Sequence, residues 1–247
     1  MTNQDLYKLA LTVLRKESRG NIVKPDRFTY LLKQCHHEYY NQQIAKWDAT
    51  QTVHDSLKPF LVTHEALTFA AGSHTYSTAG TPPTAPSKTY RRMVSAYAGT
   101  TLAEFDIVTP QEWGERIGDS LTVPTAADPV LLVGPTTFKI LPATITTVHV
   151  SYLKTADYEP FFDYYIDANR NIQGMSTTYG AAYVLTASQV YRDGTTSGTV
   201  NSINRELEWG DHDKVNIFSM LLEKLGVSLS GEIAQFAMAK EQQQNTV

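Results

Sequence analysis

The sequence predicts an α+β protein with N-terminal helices, a central β-rich, antiparallel, sandwich-like region and a C-terminal amphipathic helix pair. Three observations carry that expectation. Apolar residues recur at helical spacing over the first 58 positions. Of 30 threonines, 26 fall between Thr50 and Thr199, and nine of 11 prolines fall between Pro82 and Pro160, a composition that suits strands and turns. Near the carboxy end Val215, Phe218, Leu222 and Leu225 draw one helical stripe.

The first helix is read over residues 5–16, with Leu6, Leu9 and Val13 on one face and Gly20-Asn21 as its stop. Pro25 and Asp26 then suit the first turn of a second helix, because proline lacks an N–H that the turn does not use and a carboxylate favours the positive dipole end. Its buried face is read as Phe28, Leu31, Leu32, Cys35 and Tyr39, and it runs to Trp47. A third helix spans residues 51–58 and stops by Pro59.

Strands are expected at 67–70, 89–97, 104–108, 130–133, 137–141 and 147–153. In the last, Val148, Val150 and Tyr152 share a face and His149 and Ser151 the other. Val133-Gly134-Pro135-Thr136 reads as a hairpin connection, and residues 80–88 as an exposed loop. Thr109-Pro110-Gln111-Glu112 has the capping-box pattern and opens a short helix through Trp113 and Ile117 to Gly118. Residues 193–199, with two glycines, a serine and three threonines, read as a mobile loop tip. Ile203, Leu207 and Trp209 read as a short strand before the last helix. Gly226 reads as that helix's stop, and Ser228 or Ser230 as the cap of a second helix bearing Ile233, Phe236 and Ala237. The domain division expected is 1–58 helical, 59–165 β-rich, 166–202 a loop-rich insertion, and 203–247 a strand plus helical hairpin.

Composition limits the function classes. At 247 residues the chain can bury roughly 70–75% of its unfolded surface without a covalent staple. Its single cysteine, Cys35, excludes an internal disulfide framework, and no apolar run is long enough to span a membrane. Residues 1–20 are too charged for a signal peptide, so a soluble protein made in the cytoplasm is expected. A formal charge of −4 argues against a dedicated nucleic-acid binder. Lys88, Arg91 and Arg92 form the only compact basic group, a candidate contact for DNA or a partner.

Catalytic motifs are sparse. Gly118-Asp119-Ser120-Leu121 matches the short nucleophile signature of GDSL-type esterases, but it follows no buried apolar strand. None of the seven histidines has an aspartate three residues earlier, so base and orienter are lacking. His36 and His37 point about 100° apart on a helix. His54, His64 and His74 match no ligand spacing. Asp211-His212-Asp213 is explained by the helix dipole. No catalytic residue, metal ligand or cofactor site is therefore expected. The acidic and aromatic stretch Tyr158, Phe161, Phe162, Tyr164 and Tyr165, interleaved with Asp157, Glu159 and Asp163, reads as a candidate partner interface, with ordinary core burial an equal alternative. Trp209, Phe218, Leu222 and Phe236 join it as interface candidates.

Residues 104–116, with Val108-Thr109-Pro110-Gln111-Glu112-Trp113, and the linker Ser120-Leu121-Thr122-Val123-Pro124-Thr125 before Asp128-Pro129 carry a family likeness. So do residues 139–142 and 148–153, the helical residues 28–60, and above all residues 202–229, with Leu207-Glu208-Trp209 and Leu225-Gly226-Val227-Ser228-Leu229. Together these resemble the head-to-tail connector (ring or adaptor) proteins of tailed bacteriophages, particularly the crAss-like podoviruses. Residues 72–88 and 173–199 fit no part of that pattern. The resemblance implies a non-enzymatic virion protein of the neck that forms a closed ring, a dodecamer, below the portal protein. Such a ring contacts neighbouring neck or tail rings and extends a channel through which packaged DNA passes without sequence-specific binding. The alternatives are another neck, tail-hub or collar protein of the same virion and, remotely, a GDSL-like esterase.

Overall fold

The computed structural model describes residues 1–16, 23–47, 55–69, 75–77, 88–99, 102–118, 123–134 and 137–227. The expected carboxy-terminal helix with Phe236, most of the 80–88 loop, Gly20-Asn21, Pro135-Thr136, His54, His74 and Asp119-Ser120-Leu121 lie outside the described residues. Helices and antiparallel sheets both contribute, an α+β protein. The chain forms two units, one built from Met1–Pro59 together with Tyr158–Val247, the other from Phe60–Asp157. The second boundary therefore falls before the aromatic segment rather than after it.

The first unit opens with α1 (Asn3–Lys16) and α2 (Pro25–Ala45). On α1 the buried apolar residues are Leu6, Tyr7, Ala10 and Leu14, whereas Leu9 is exposed, so the face is turned from the one expected. Tyr7 is the reason. Its ring packs on Phe28 and Phe162, and its hydroxyl donates to the Val23 carbonyl at 2.9 Å. On α2 Phe28, Leu31, Leu32, Cys35 and Tyr39 are buried as expected, joined by His36 and Tyr40. The helix ends at Ala45, two residues short of the expected Trp47. Residues 55–57 are helical and run into a 3₁₀ turn, Lys58–Phe60.

The second unit is a two-sheet sandwich. One sheet orders β1 (Leu61–Thr68), β7 (Thr147–Lys154) and β3 (Tyr90–Ala98), all antiparallel. The other orders β2 (Thr75–Ser77), β6 (Thr137–Leu141), β5 (Val130–Val133) and β4 (Asp106–Val108). Val148, Val150, Tyr152, Ala96 and Leu67 from the first sheet share a core with Leu131, Phe138 and Ile140 from the second. β1 starts well before the expected 67 because its register shifts between Val62 and Glu65, where His64 adopts a positive φ of 53°. A bulge adds a residue and breaks the alternation that marks a strand in sequence.

One pairing departs from the antiparallel expectation: β4 and β5 run parallel. Between them lies α3 (Pro110–Gly118), the crossover that parallel neighbours require. The capping box forms as its sequence pattern dictates. The Thr109 N–H donates to Glu112 Oε2 at 2.7 Å and the Glu112 N–H to Thr109 Oγ1 at 3.3 Å. Trp113 buries itself against Val108 and Val130, so β5 carries apolar side chains on both faces, Leu131 inward and Val130 under the helix.

Returning to the first unit, residues 166–202 are not a loop-rich insertion. β8 (Tyr164–Ile166), β9 (Ile172–Gly174) and β11 (Val190–Tyr191) form one small sheet, and β10 (Ala182–Leu185) pairs with β12 (Gly198–Asn201). Met175, Leu185 and Tyr191 are its buried centre, with Tyr165, Tyr183 and Val200 packed around them. Of the expected loop tip at 193–199, residues 193–197 form a turn in which Asp193 accepts from the Thr195 N–H at 2.9 Å, and Gly198 and Thr199 belong to β12. Strands this short, two to four residues, leave no period to read.

Residues 203–209 are not a strand either. Only Arg205 pairs, with Phe161, while the Ile203 N–H is taken by a side chain, Asp163. α4 (Asp211–Lys224) follows and buries Ile217, Phe218, Leu221 and Leu222, with Val215 and Leu225 only half-buried, so its stripe is also turned from the one expected. Tyr39 explains the offset. Its hydroxyl donates to Asp213 Oδ1 at 2.7 Å, drawing the Asp213–Ile217–Leu221 row against α2. Gly226 ends the helix as expected, with φ 81°. Its N–H bonds the Glu223 carbonyl and the Val227 N–H the Leu222 carbonyl, the Schellman arrangement.

Candidate interaction surface

A single backbone bridge sorts the side chains around Phe161. Phe161 and Arg205 exchange both backbone hydrogen bonds, at 2.8 and 2.9 Å, which places their side chains on one face. Their chain neighbours turn the other way: Phe162 and Asn204 are buried. Phe162 stacks into the helical core on Tyr7 and Phe28. The bridge thus sets Phe161 towards the surface and Phe162 in the core.

Asp163 holds the buried side together. Its carboxylate, wholly shielded from solvent, accepts from the Tyr191 hydroxyl at 2.9 Å, the Ile203 N–H at 2.9 Å and the Tyr164 N–H at 3.1 Å. Arg192 Nε lies 3.4 Å from its other oxygen. A buried carboxylate with this many donors is satisfied, so it anchors structure rather than offering itself to a ligand. Burial, followed by the Asp163 hydrogen bond, pushes the Tyr191 phenol up to about 12.

The surface side gathers cations over rings. The Arg205 guanidinium carbon lies 4.6 Å from the Tyr179 centroid and 5.6 Å from that of Tyr158. Arg192 and Lys33 lie 4.8 and 5.6 Å from the Phe161 centroid. Each such contact contributes on the order of 0.5–1 kcal/mol at an exposed site. Lys33 also pairs with Glu159 at 2.8 Å, with His37 Nε2 at 3.6 Å from the same carboxylate. The Lys33 hydrogen bond and charge hold the Glu159 carboxyl below its ordinary range. Tyr158 and Tyr179 remain exposed. This is an aromatic and cationic surface, suited to a protein partner.

The interface candidates read from sequence therefore separate. Tyr158 and Phe161 stand on this surface. Phe162, Trp209, Phe218 and Leu222 are buried in the unit's own core and cannot reach a partner. Tyr164 and Tyr165 are half-buried, Tyr165 stacked on Tyr183 at 5.0 Å. Lys33, Tyr179, Arg192 and Arg205 were missed, because no spacing rule links positions so far apart in the chain. The basic group also changes character: Lys88 pairs with Asp157 at 2.9 Å, and Lys154 pairs with the same carboxylate at 2.6 Å. Arg91 and Arg92 are consecutive on β3, at a register shift between Tyr90 and Arg92 in its pairing with β7.

Other reactive groups are committed to the core. Burial pushes the Cys35 thiol up to about 11, which keeps it protonated and unreactive at neutral pH. His36 is buried and accepts from Trp209. No group of three or more His, Cys, Asp or Glu side chains that could hold a metal occurs among the described residues. No protein-family model matches the chain, and no curated protein matches it.

Proposed function

We propose that this chain is a non-enzymatic structural protein of a tailed-phage virion, a subunit of the ring that joins the portal to the tail and continues the DNA channel. The observation that carries the reading is the exposed cationic and aromatic surface of Tyr158, Phe161, Tyr179, Arg192 and Arg205, held on a rigid buried frame. Aromatic residues and arginine are the residue types enriched where proteins meet proteins. The sequence resemblance of residues 202–229 and 104–116 to connector subunits supplies the kind of assembly. A closed ring needs two different complementary faces on each subunit, and a mildly acidic chain is suited to a conduit that phosphate must not adhere to.

The test is negative-stain microscopy and light scattering of the purified protein alone and mixed with its portal. Closed rings seated on the portal are expected. A protein that stays monomeric and leaves the portal unbound overturns the assignment.

A further inference from the structure

We infer that Arg205, clamped by Tyr158 and Tyr179, is the anchor of the contact between copies, and that it receives a carboxylate from the α3 rim of the next subunit. The inference rests on the ring reading above. Lys33 is engaged by Glu159 and Arg192 by Asp163, whereas the Arg205 guanidinium has no carboxylate partner among the described residues. Two tyrosine rings lie within cation–π distance of the guanidinium and restrain it. A restrained guanidinium is the preorganised fork that takes a carboxylate on two donors at little entropic cost.

The complementary charge stands on the same chain, in the sandwich unit. Asp106, Glu112, Glu115 and Asp128 are exposed there, and Arg116, bonded to Asp106 at 2.8 Å and 3.9 Å from Asp128, is the cation among them. Two large apolar side chains stand exposed on the same elements, Ile107 at 41% and Ile117 at 60%. β4, which carries Asp106 and Ile107, is the last strand of its sheet. Exposed acids and isoleucines on β4 and α3, and an arginine beside exposed tyrosine in the first unit, match in charge and in apolar character. The two groups differ, so their union is heterologous, the kind that closes into rings. DNA phosphate fits less well, since a single guanidinium is far from the row of cations that backbone binding requires.

The experiment is charge reversal and restoration, read by sedimentation and negative stain with and without the portal. Arg205→Glu and Glu115→Lys should each weaken ring formation at least about tenfold, and the double variant should recover most of it. Glu115 is exposed on α3, so that variant keeps the test decisive if Arg205→Glu fails to fold. Rings from Arg205→Glu as abundant as those of the wild type overturn this inference and leave the connector reading intact. A wild type that forms no rings overturns both. If Arg205→Glu still forms rings but loses binding to a 30-base-pair duplex, measured by anisotropy, phosphate is the occupant and the inference is overturned.

Discussion

Trp209 donates its indole N–H to Nδ1 of His36 at 2.8 Å, with both rings buried between α2 and the segment leading into α4. A neutral imidazole accepts at Nδ1 only when its proton sits on Nε2, so the indole selects the tautomer. Burial, followed by the neighbouring His37, lowers the His36 pKa to about 4.

Acid should therefore loosen the helical unit in a defined window. The unfolded chain binds a proton at His36 near the ordinary 6.5 while the folded chain resists it until about 4. Stability is fully present above about 6.5 and is lost as the pH falls towards 4, by on the order of 3 kcal/mol. Urea unfolding at pH 7.5, 6, 5 and 4 checks this. The wild-type midpoint should fall more steeply than that of His36→Gln, and parallel slopes would place the acid sensitivity elsewhere. Trp209→Phe should cost about 2–3 kcal/mol at pH 7.5, through the orphaned acceptor and the lost ring volume.

Asp163 should be the most sensitive polar position in the 158–205 region. Asp163→Ala leaves the Tyr191 hydroxyl and the Ile203 and Tyr164 N–H groups without their acceptor and costs about 3–5 kcal/mol. Asp163→Asn keeps one oxygen and should cost roughly half as much. Denaturation curves with near-ultraviolet dichroism, which reports Tyr165, Tyr183 and Tyr191, measure both.

Gly226→Ala should destabilise by about 1 kcal/mol, since φ of 81° is open to glycine but costly to a residue bearing Cβ. Gly226→Asn should fall between the two, because asparagine tolerates that region better. Equal midpoints for all three would mean that the Schellman turn relaxes without cost.

In the sandwich, Thr109→Ala should cost about 1 kcal/mol through the lost cap. Trp113→Ala should cost about 3 kcal/mol through the emptied site over Val108 and Val130. The two effects add if the cap and the packed ring act independently, and thermal unfolding of the double variant measures that.

How far the sequence could be read follows from which interactions are local. The capping box at Thr109, the Schellman stop at Gly226, β5 and β6 were all legible, because each depends on residues within a few positions. The helix faces were turned by long-range polar partners: Tyr7 by Val23 and Phe162, Asp213 by Tyr39. The short strands from Tyr164 to Asn201 were invisible because a carboxylate, Asp163, and a three-residue cluster organise them rather than a periodic apolar pattern. For the candidate surface, the sequence marked Tyr158 and Phe161 and missed Tyr179 and the cations, since Arg205 acquires meaning only when its backbone pairs with Phe161.

Leu61 and Leu153 are register partners on adjacent strands, so the chain enters the sandwich and leaves it side by side. The sandwich is a closed cassette within the other unit, whose α2 and α4 are separated by some 165 residues of synthesis. Loop closure over that distance costs more chain entropy than the shorter closures within residues 60–157, such as the one that joins Leu61 to Leu153. On the ribosome the cassette can complete its core while α1 and α2 still await α4. A cassette that closes before Trp209 meets His36 holds its own two ends side by side and so shortens the loop left to close. The insert thereby acts as a folding tether for the unit that carries it.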